Sequence, residues 1–132
     1  ERFFHLEFIR GPEGELRAME ANIRPPGGLT TDMFNYANDI DVYKAWADIV
    51  VSGSCRVIAE RPYHVCYIGR KTSKNYTHSN EEILRKYGPA ILINTPIDSV
   101  FRRAIGDYAY LVRSPRLEDI WPIVDFIHSQ DG

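Results

Sequence analysis

Two carboxylates, an amide and a guanidinium stand close together in the first part of the chain. Glu7 lies in one hydrophobic run, and Glu20, Asn22 and Arg24 lie at alternate positions of the next. This set of side chains has a definite chemistry. Carboxylates brought side by side repel, and a cation between them relieves the repulsion. Mg²⁺ binds oxygen at about 2.0–2.1 Å, so one ion bridges oxygens roughly 4 Å apart. Asn22 adds a neutral oxygen ligand, and the planar Arg24 guanidinium suits a phosphate or a carboxylate.

These residues meet only if the two runs pair as strands. With a period of two, Phe4, Leu6 and Phe8 share one face of a first strand, opposite Phe3, His5, Glu7 and Ile9. In the second, Leu16, Ala18, Glu20, Asn22 and Arg24 share a face, opposite Arg17, Met19, Ala21 and Ile23. Gly11-Pro12-Glu13-Gly14 between them is turn chemistry. A two-residue loop at Glu13-Gly14 puts Glu7 directly across from Glu20, and His5 across from Asn22. A four-residue loop moves Glu20 to the diagonal on the same face, whereas a loop of odd length separates the carboxylates. The plain alternative is a hairpin whose charged face is merely solvated.

The order Glu7, a short Gly-containing turn, then Glu20-Ala21-Asn22-Ile23-Arg24-Pro25-Pro26-Gly27-Gly28 resembles the end of an ATP-grasp ligase domain of the carboxylate-amine type. The likeness is strong over residues 1–53 and looser beyond. It implies ATP with Mg²⁺ (or Mn²⁺) held by Glu7, Glu20 and Asn22. It also implies Arg24 as a catalytic residue beside the transferred phosphate, near a carboxylic acid or amino acid substrate and an amine nucleophile. Gly27 and Gly28, with the Thr30-Thr31 backbone, would lie at the substrate's carboxylate, where a helix N-terminus favours an anion. A plain capped helix is the other reading of that stretch. Biotin carboxylase-like and carbamoyl phosphate synthase-like members of the same superfamily remain open, as does a non-catalytic interaction or dimerisation module.

The bulk properties fit one soluble globular chain: 132 residues, 44% hydrophobic, 26% charged and a net charge of −2. That balance gives no support for nucleic acid or an anionic membrane as partner. No run approaches the roughly 18 apolar residues of a membrane helix. Cys55 and Cys66 form no C-x-x-C pair, so free thiols in a reducing, cytoplasmic compartment are expected. The phosphate-gripping lysines and Gly-rich loop of the resembled family are not seen. With Glu1 at its start, the chain is expected to be a C-terminal piece whose partner is the N-terminal part of the ATP-grasp domain, with a homodimer possible.

The elements behind the hairpin read as α+β throughout. Residues 1–53 are expected to form the end of the ATP-grasp domain, and residues 54–132 a small α+β subdomain. A helix capped by Thr30 or Thr31 carries Met33, Phe34, Tyr36, Ala37 and Ile40 inward. Asn38-Asp39-Ile40-Asp41 breaks it, and a second helix, capped by Asp39 or Asp41 and with Val42, Tyr43, Trp46, Ile49 and Val50 inward, ends at Gly53. Cys55, Val57 and Ile58 suggest a short strand before Pro62. Residues 63–71 alternate as a strand and lead into a basic loop with Arg70, Lys71 and Lys74. Ser79-Asn80-Glu81-Glu82 is a capping box for a helix stopped by Gly88-Pro89. Strands follow at residues 90–95 and 107–113, with loop or a helical turn between. Ser114-Pro115 is expected to start a final helix with Leu117, Ile120, Trp121, Val124 and Ile127 inward, which Pro122 kinks or restarts. Antiparallel strands with helices on one face are the expected layout.

Overall fold

The computed structural model describes residues 2–57 and 60–130. The chain is α+β and divides into two compact units, one of residues 1–35 and 40–59, the other of residues 36–39 and 60–132. Of the expected strand before Pro62, residues 54–57 form none, and Ile58 and Ala59 lie outside the described residues.

The first unit opens with strands β1 (His5–Arg10) and β2 (Leu16–Asn22), an antiparallel two-stranded sheet. Helix α1 (Thr30–Asn38) follows, its last turn counted with the second unit. Its first backbone bond runs from Met33 N–H to the Leu29 carbonyl at 2.9 Å, so the helix starts one residue earlier than a Thr30 or Thr31 cap requires. Thr31 is instead buried inside the first turn, where its hydroxyl donates to the Pro26 carbonyl at 3.0 Å. Asp39, at a φ of 49°, breaks the helix in the left-handed region that Asp tolerates better than most residues. Helix α2 (Val42–Ser52) then begins with Asp41 accepting from Lys44 N–H at 2.9 Å. It ends with Gly53 at a φ of 76°, donating to the Ile49 carbonyl. Both caps match the sequence. The inward aromatics do not: Tyr43, Trp46 and Phe34 are half exposed and Val50 more so, while Val42 and Ala45 are the buried positions of α2. Phe3, Ile23, Trp46 and Ile49 line a shallow concavity of about 300 Å³ beside the hairpin.

The second unit is built on strands β3 (His64–Arg70), β4 (Ile91–Pro96) and β5 (Tyr108–Ser114), all paired antiparallel in the order β3-β5-β4. The last strand is thus the central one. Its sequence Tyr108-Ala109-Tyr110-Leu111-Val112 is apolar without a break, as a strand covered on both faces should be. Tyr110 and Val112 face Ile68 of β3, Ile83 of helix α3 (Asn80–Tyr87), and Ile120, Ile123 and Ile127 of helix α5 (Ile120–His128). Ala109 and Leu111, on the other face, are fully buried as well. The expected capping box is present: Ser79 Oγ accepts from Glu82 N–H, and Glu82 accepts from Ser79 N–H at 2.8 Å. Those bonds hold the Glu82 carboxyl below its usual range. Helix α4 (Ser99–Ile105), capped by Asp98, fills the stretch read as loop or turn. Arg113 ties residues 36–39 to β5 through a 2.6 Å contact with Asp39, and stacks 4.1 Å over Tyr63. Cys55 and Cys66 are thiols, and burial pushes Cys66 up.

The final helix differs from its expected form. Ser114 is the end of β5, and its hydroxyl donates to Asp119 at 2.9 Å. A 3-10 turn at Leu117–Asp119 precedes α5, which starts two residues before Pro122, where a missing N–H is tolerated. Because Asp119 is spent on Ser114 and Arg116, it makes no side-chain cap. The restart rotates the helix, so Leu117 and Trp121 are exposed and Ile123 takes an inward place. Ile127→Ala should therefore cost about 2–5 kcal/mol, whereas Trp121→Ala, on the same helix, should cost under about 1 kcal/mol. Urea unfolding of the two variants beside the parent chain measures both; equal losses would contradict this helix orientation.

Candidate metal and phosphate site on the hairpin

The turn that sets the hairpin register is not the expected one. Gly14 N–H donates to the Gly11 carbonyl at 3.0 Å, and Gly11 N–H to the Glu15 carbonyl at 2.9 Å. Pro12 pre-sets the turn's second position, and Gly14 takes the left-handed conformation at a φ of 88°. Pro12-Glu13-Gly14 is thus an odd-length tip, and Arg10 pairs with Leu16, Ile9 with Arg17 and Phe8 with Ala18. Continued unchanged, this register would move Glu20 off Glu7, the outcome expected of an odd loop. A β-bulge between Glu7 and Phe8 leaves Met19 as the extra residue, and beyond it Glu7 pairs with Glu20 and His5 with Asn22. The opposition of the carboxylates is as expected; the reason for it is not. The single shared face across β2 is also corrected, because Leu16 and Ala18 pair in the other phase from Glu20 and Asn22.

Directly opposed residues have Cβ atoms roughly 4.5–5.5 Å apart, which places the two carboxylates within reach of one cation. His5 organises their surroundings, a role the sequence reading did not assign. Its ring lies between Arg24 and Asn22, with Nδ1 3.2 Å from the Arg24 carbonyl and Nε2 3.1 Å from Asn22 Nδ2. The tautomer that meets both has Nδ1–H donating to Arg24 and Nε2 accepting from the Asn22 amide. Asn22 then keeps its carbonyl oxygen free for a cation. Glu7 Oε1 approaches the same Nε2 at 3.3 Å, and the Glu7 side chain remains 42% exposed. The cross-strand partnership of His5 and Asn22 was the signal available for this in the sequence.

The remaining positions follow the chain out of β2. Arg24 is exposed, and its guanidinium donates to the Pro25 carbonyl at 3.1 Å, leaving further N–H groups for an anion. Gly27 and Gly28 are exposed, and a Cβ on either would meet nothing within 4 Å. Gly28 nonetheless needs its freedom, with a φ of 62° at the entry to α1. The structure therefore brings Glu7, Glu20, Asn22 and the Arg24 backbone together, with Gly27 and Gly28 on the segment after them. Among the described residues no group of three or more His, Cys, Asp or Glu side chains forms a metal cage.

No protein-family model, curated protein or solved structure matches the chain. Among the described residues, no helix is long and apolar enough to cross a membrane.

Like charges directly opposed on a strand pair are destabilising by about 0.2–1 kcal/mol. Glu20→Gln should accordingly stabilise the chain by about that amount in metal-free buffer. Melting temperatures recorded with a chelator present test this, and a lower value for the variant would show that the carboxylates do not oppose each other.

Proposed function

We propose that the chain is the C-terminal part of an ATP-grasp ligase of the carboxylate-amine type and supplies the Mg²⁺-ATP ligands of that enzyme. The single observation that carries this reading is the register of β1 and β2, which opposes Glu7 to Glu20 and sets Asn22 two residues on. It is supported further by the order of Glu20, Asn22, Arg24 and the Pro-Pro-Gly-Gly segment.

The donor set fits Mg²⁺ in the form used for phosphoryl transfer. In such sites one or two carboxylates hold the ion, and substrate phosphates and waters complete its octahedron. A pair of carboxylates with one amide oxygen meets that need without an all-protein cage. Glu7, Glu20 and Asn22 would hold the ion, which would supply neutralisation of phosphate charge during phosphoryl transfer. The chain's own residues do the rest. Glu7 and Glu20 would hold the ion from two strands, with the Asn22 amide beside them in contact with His5. Arg24 stabilises the transferred group on its way to the substrate carboxylate, from which an amine displaces phosphate. Gly27 and Gly28 let the backbone approach that carboxylate closely. Cytoplasmic placement belongs to the same proposal.

The outer surface of the hairpin suits a piece of a larger domain. Phe4, Leu6, Leu16 and Met19 are all more than half exposed. A two-stranded ribbon is at best marginally stable alone, so an upstream part of the ATP-grasp domain is the natural cover.

In the complete enzyme, Glu20→Gln should lower kcat at least about 100-fold, the scale on which removal of one preorganised electrostatic group acts. Its melting temperature without metal should not fall. Steady-state ATP turnover, with isothermal titration of Mg²⁺-ATP into the Glu7→Gln/Glu20→Gln double variant, decides the matter. Parent-like turnover of Glu20→Gln would refute the assignment.

A further inference from the structure

The basic loop after β3 encloses a second site, independent of the hairpin. We propose that the concavity between β3, β5 and this loop binds a small aromatic anion, an aryl carboxylate or an aryl phosphate. The cavity measures about 210 Å³, with Arg70, Lys71 and Lys74 as its cations and Tyr76, Tyr108 and Tyr110 as its rings. A neighbouring concavity of about 310 Å³ shares Lys71, Lys74 and Tyr76 and extends toward His128.

The walls are held before any ligand arrives. Arg70 Nε donates to the Ile127 carbonyl at 2.8 Å, and its guanidinium lies 4.2 Å over the Tyr76 ring. Tyr76 in turn accepts from Lys71 N–H at 3.0 Å. Tyr110 donates its hydroxyl to Asn80 at 2.9 Å, Tyr108 donates to Asn94 at 3.0 Å, and the two rings are 5.3 Å apart. The backbone beneath is equally constrained. A Cβ on Gly69 would lie 2.3 Å from the Ile105 carbonyl, and one on Gly106, at a φ of 104°, 2.8 Å from the Arg70 carbonyl. Rings and a guanidinium held in this way lose little freedom when a ligand binds.

The charge inside this frame is uncompensated. Among the described residues no carboxylate forms an ion pair with Arg70, Lys71 or Lys74. The nearby Asp107 is engaged by Thr72, accepting from its N–H at 2.8 Å and its hydroxyl at 3.2 Å. Arg70 Nη2 is buried with no acceptor, although buried polar groups are normally paired. An anion in the cavity balances these three cations. A bare inorganic anion would leave the half-buried rings of Tyr76 and Tyr108 uncovered. One ring bearing one anionic group fits both the size and the lining.

The test titrates benzoate, phenyl phosphate and inorganic phosphate separately into the isotopically labelled chain, following backbone amide shifts of residues 69–76, 80 and 108–110. Saturable binding of benzoate or phenyl phosphate, at least about tenfold tighter than inorganic phosphate, is expected, a difference of about 1.4 kcal/mol. The tighter of the two names the head group, and equal affinities support the aromatic anion as a class. Lys71→Ala/Lys74→Ala, both exposed positions, should weaken that binding at least about fivefold with an unchanged melting temperature. Three results would overturn the proposal: no saturation by either aromatic anion, inorganic phosphate binding as tightly, or parent-like affinity in the double variant.

Discussion

Two carboxylates facing each other across a strand pair repel, and the hairpin holds them there because its tip and its bulge together leave no other register. Neither device suffices alone. The Pro12-Glu13-Gly14 tip sets a pairing that would miss by one residue, and Met19 restores it just before Glu20. A one-residue slip exchanges every side chain between the two faces of a strand, so this correction determines whether Glu7 and Glu20 can share an ion. The ribbon gains little from burial, since most of β1 and nearly all of β2 is exposed. Local bonds therefore keep the geometry: His5 to Arg24 and Asn22, and Thr31 to the Pro26 carbonyl at the end of the connecting segment. A site that is unfavourable without its ligand is a common cost of function.

The parts of the fold legible in the sequence are those whose physics is local. The Ser79–Glu82 capping box, the Asp41 cap and the Gly53 stop each depend on a few adjacent residues, and each lies where the residue types put it. The alternation around His64–Arg70 and the unbroken apolar run from Tyr108 to Val112 were equally plain. Faces that depend on distant packing were not. Tyr43 and Trp46 have the spacing of a buried stripe on α2, yet both are half exposed, because the small Ala45 and the β-branched Val42 take the close contacts. In α5 the competition lay between two start signals. Ser114-Pro115 has the better local form, but Ser114 was already committed to the sheet, where it pairs with His64. Tertiary context decided that contest.

The candidate site shows the same division. Residue types and their order marked Glu7, Glu20, Asn22 and Arg24 without a structure. The bulge left no mark, since nothing about Met19 distinguishes it from a regular strand residue. His5 was visible as the partner of Asn22, but its role follows from three distances that no spacing conveys. In the sequence, Arg70, Lys71 and Lys74 read as a basic loop, solvated in the plain view and touching a nucleotide phosphate in the other. Only folding sets them against tyrosines drawn from a loop and a strand more than thirty positions apart in the chain.

A net charge of −2 says nothing of this arrangement, because it does not show which charged side chains face a common site. In the proposed hairpin site an anion would be held only through a divalent cation, so its affinity for phosphate should vanish with the metal. The cavity of the second unit offers fixed cations and needs no intermediary, so its affinity for anions must weaken with salt and ignore a chelator. The geometry of each follows from its charge. An ion-bridged site would require oxygens placed to a few tenths of an ångström, a demand that a register set by a bulge can meet. A guanidinium over a ring acts over a longer range, and neighbouring tyrosines with a flexible pair of lysines are enough to build it.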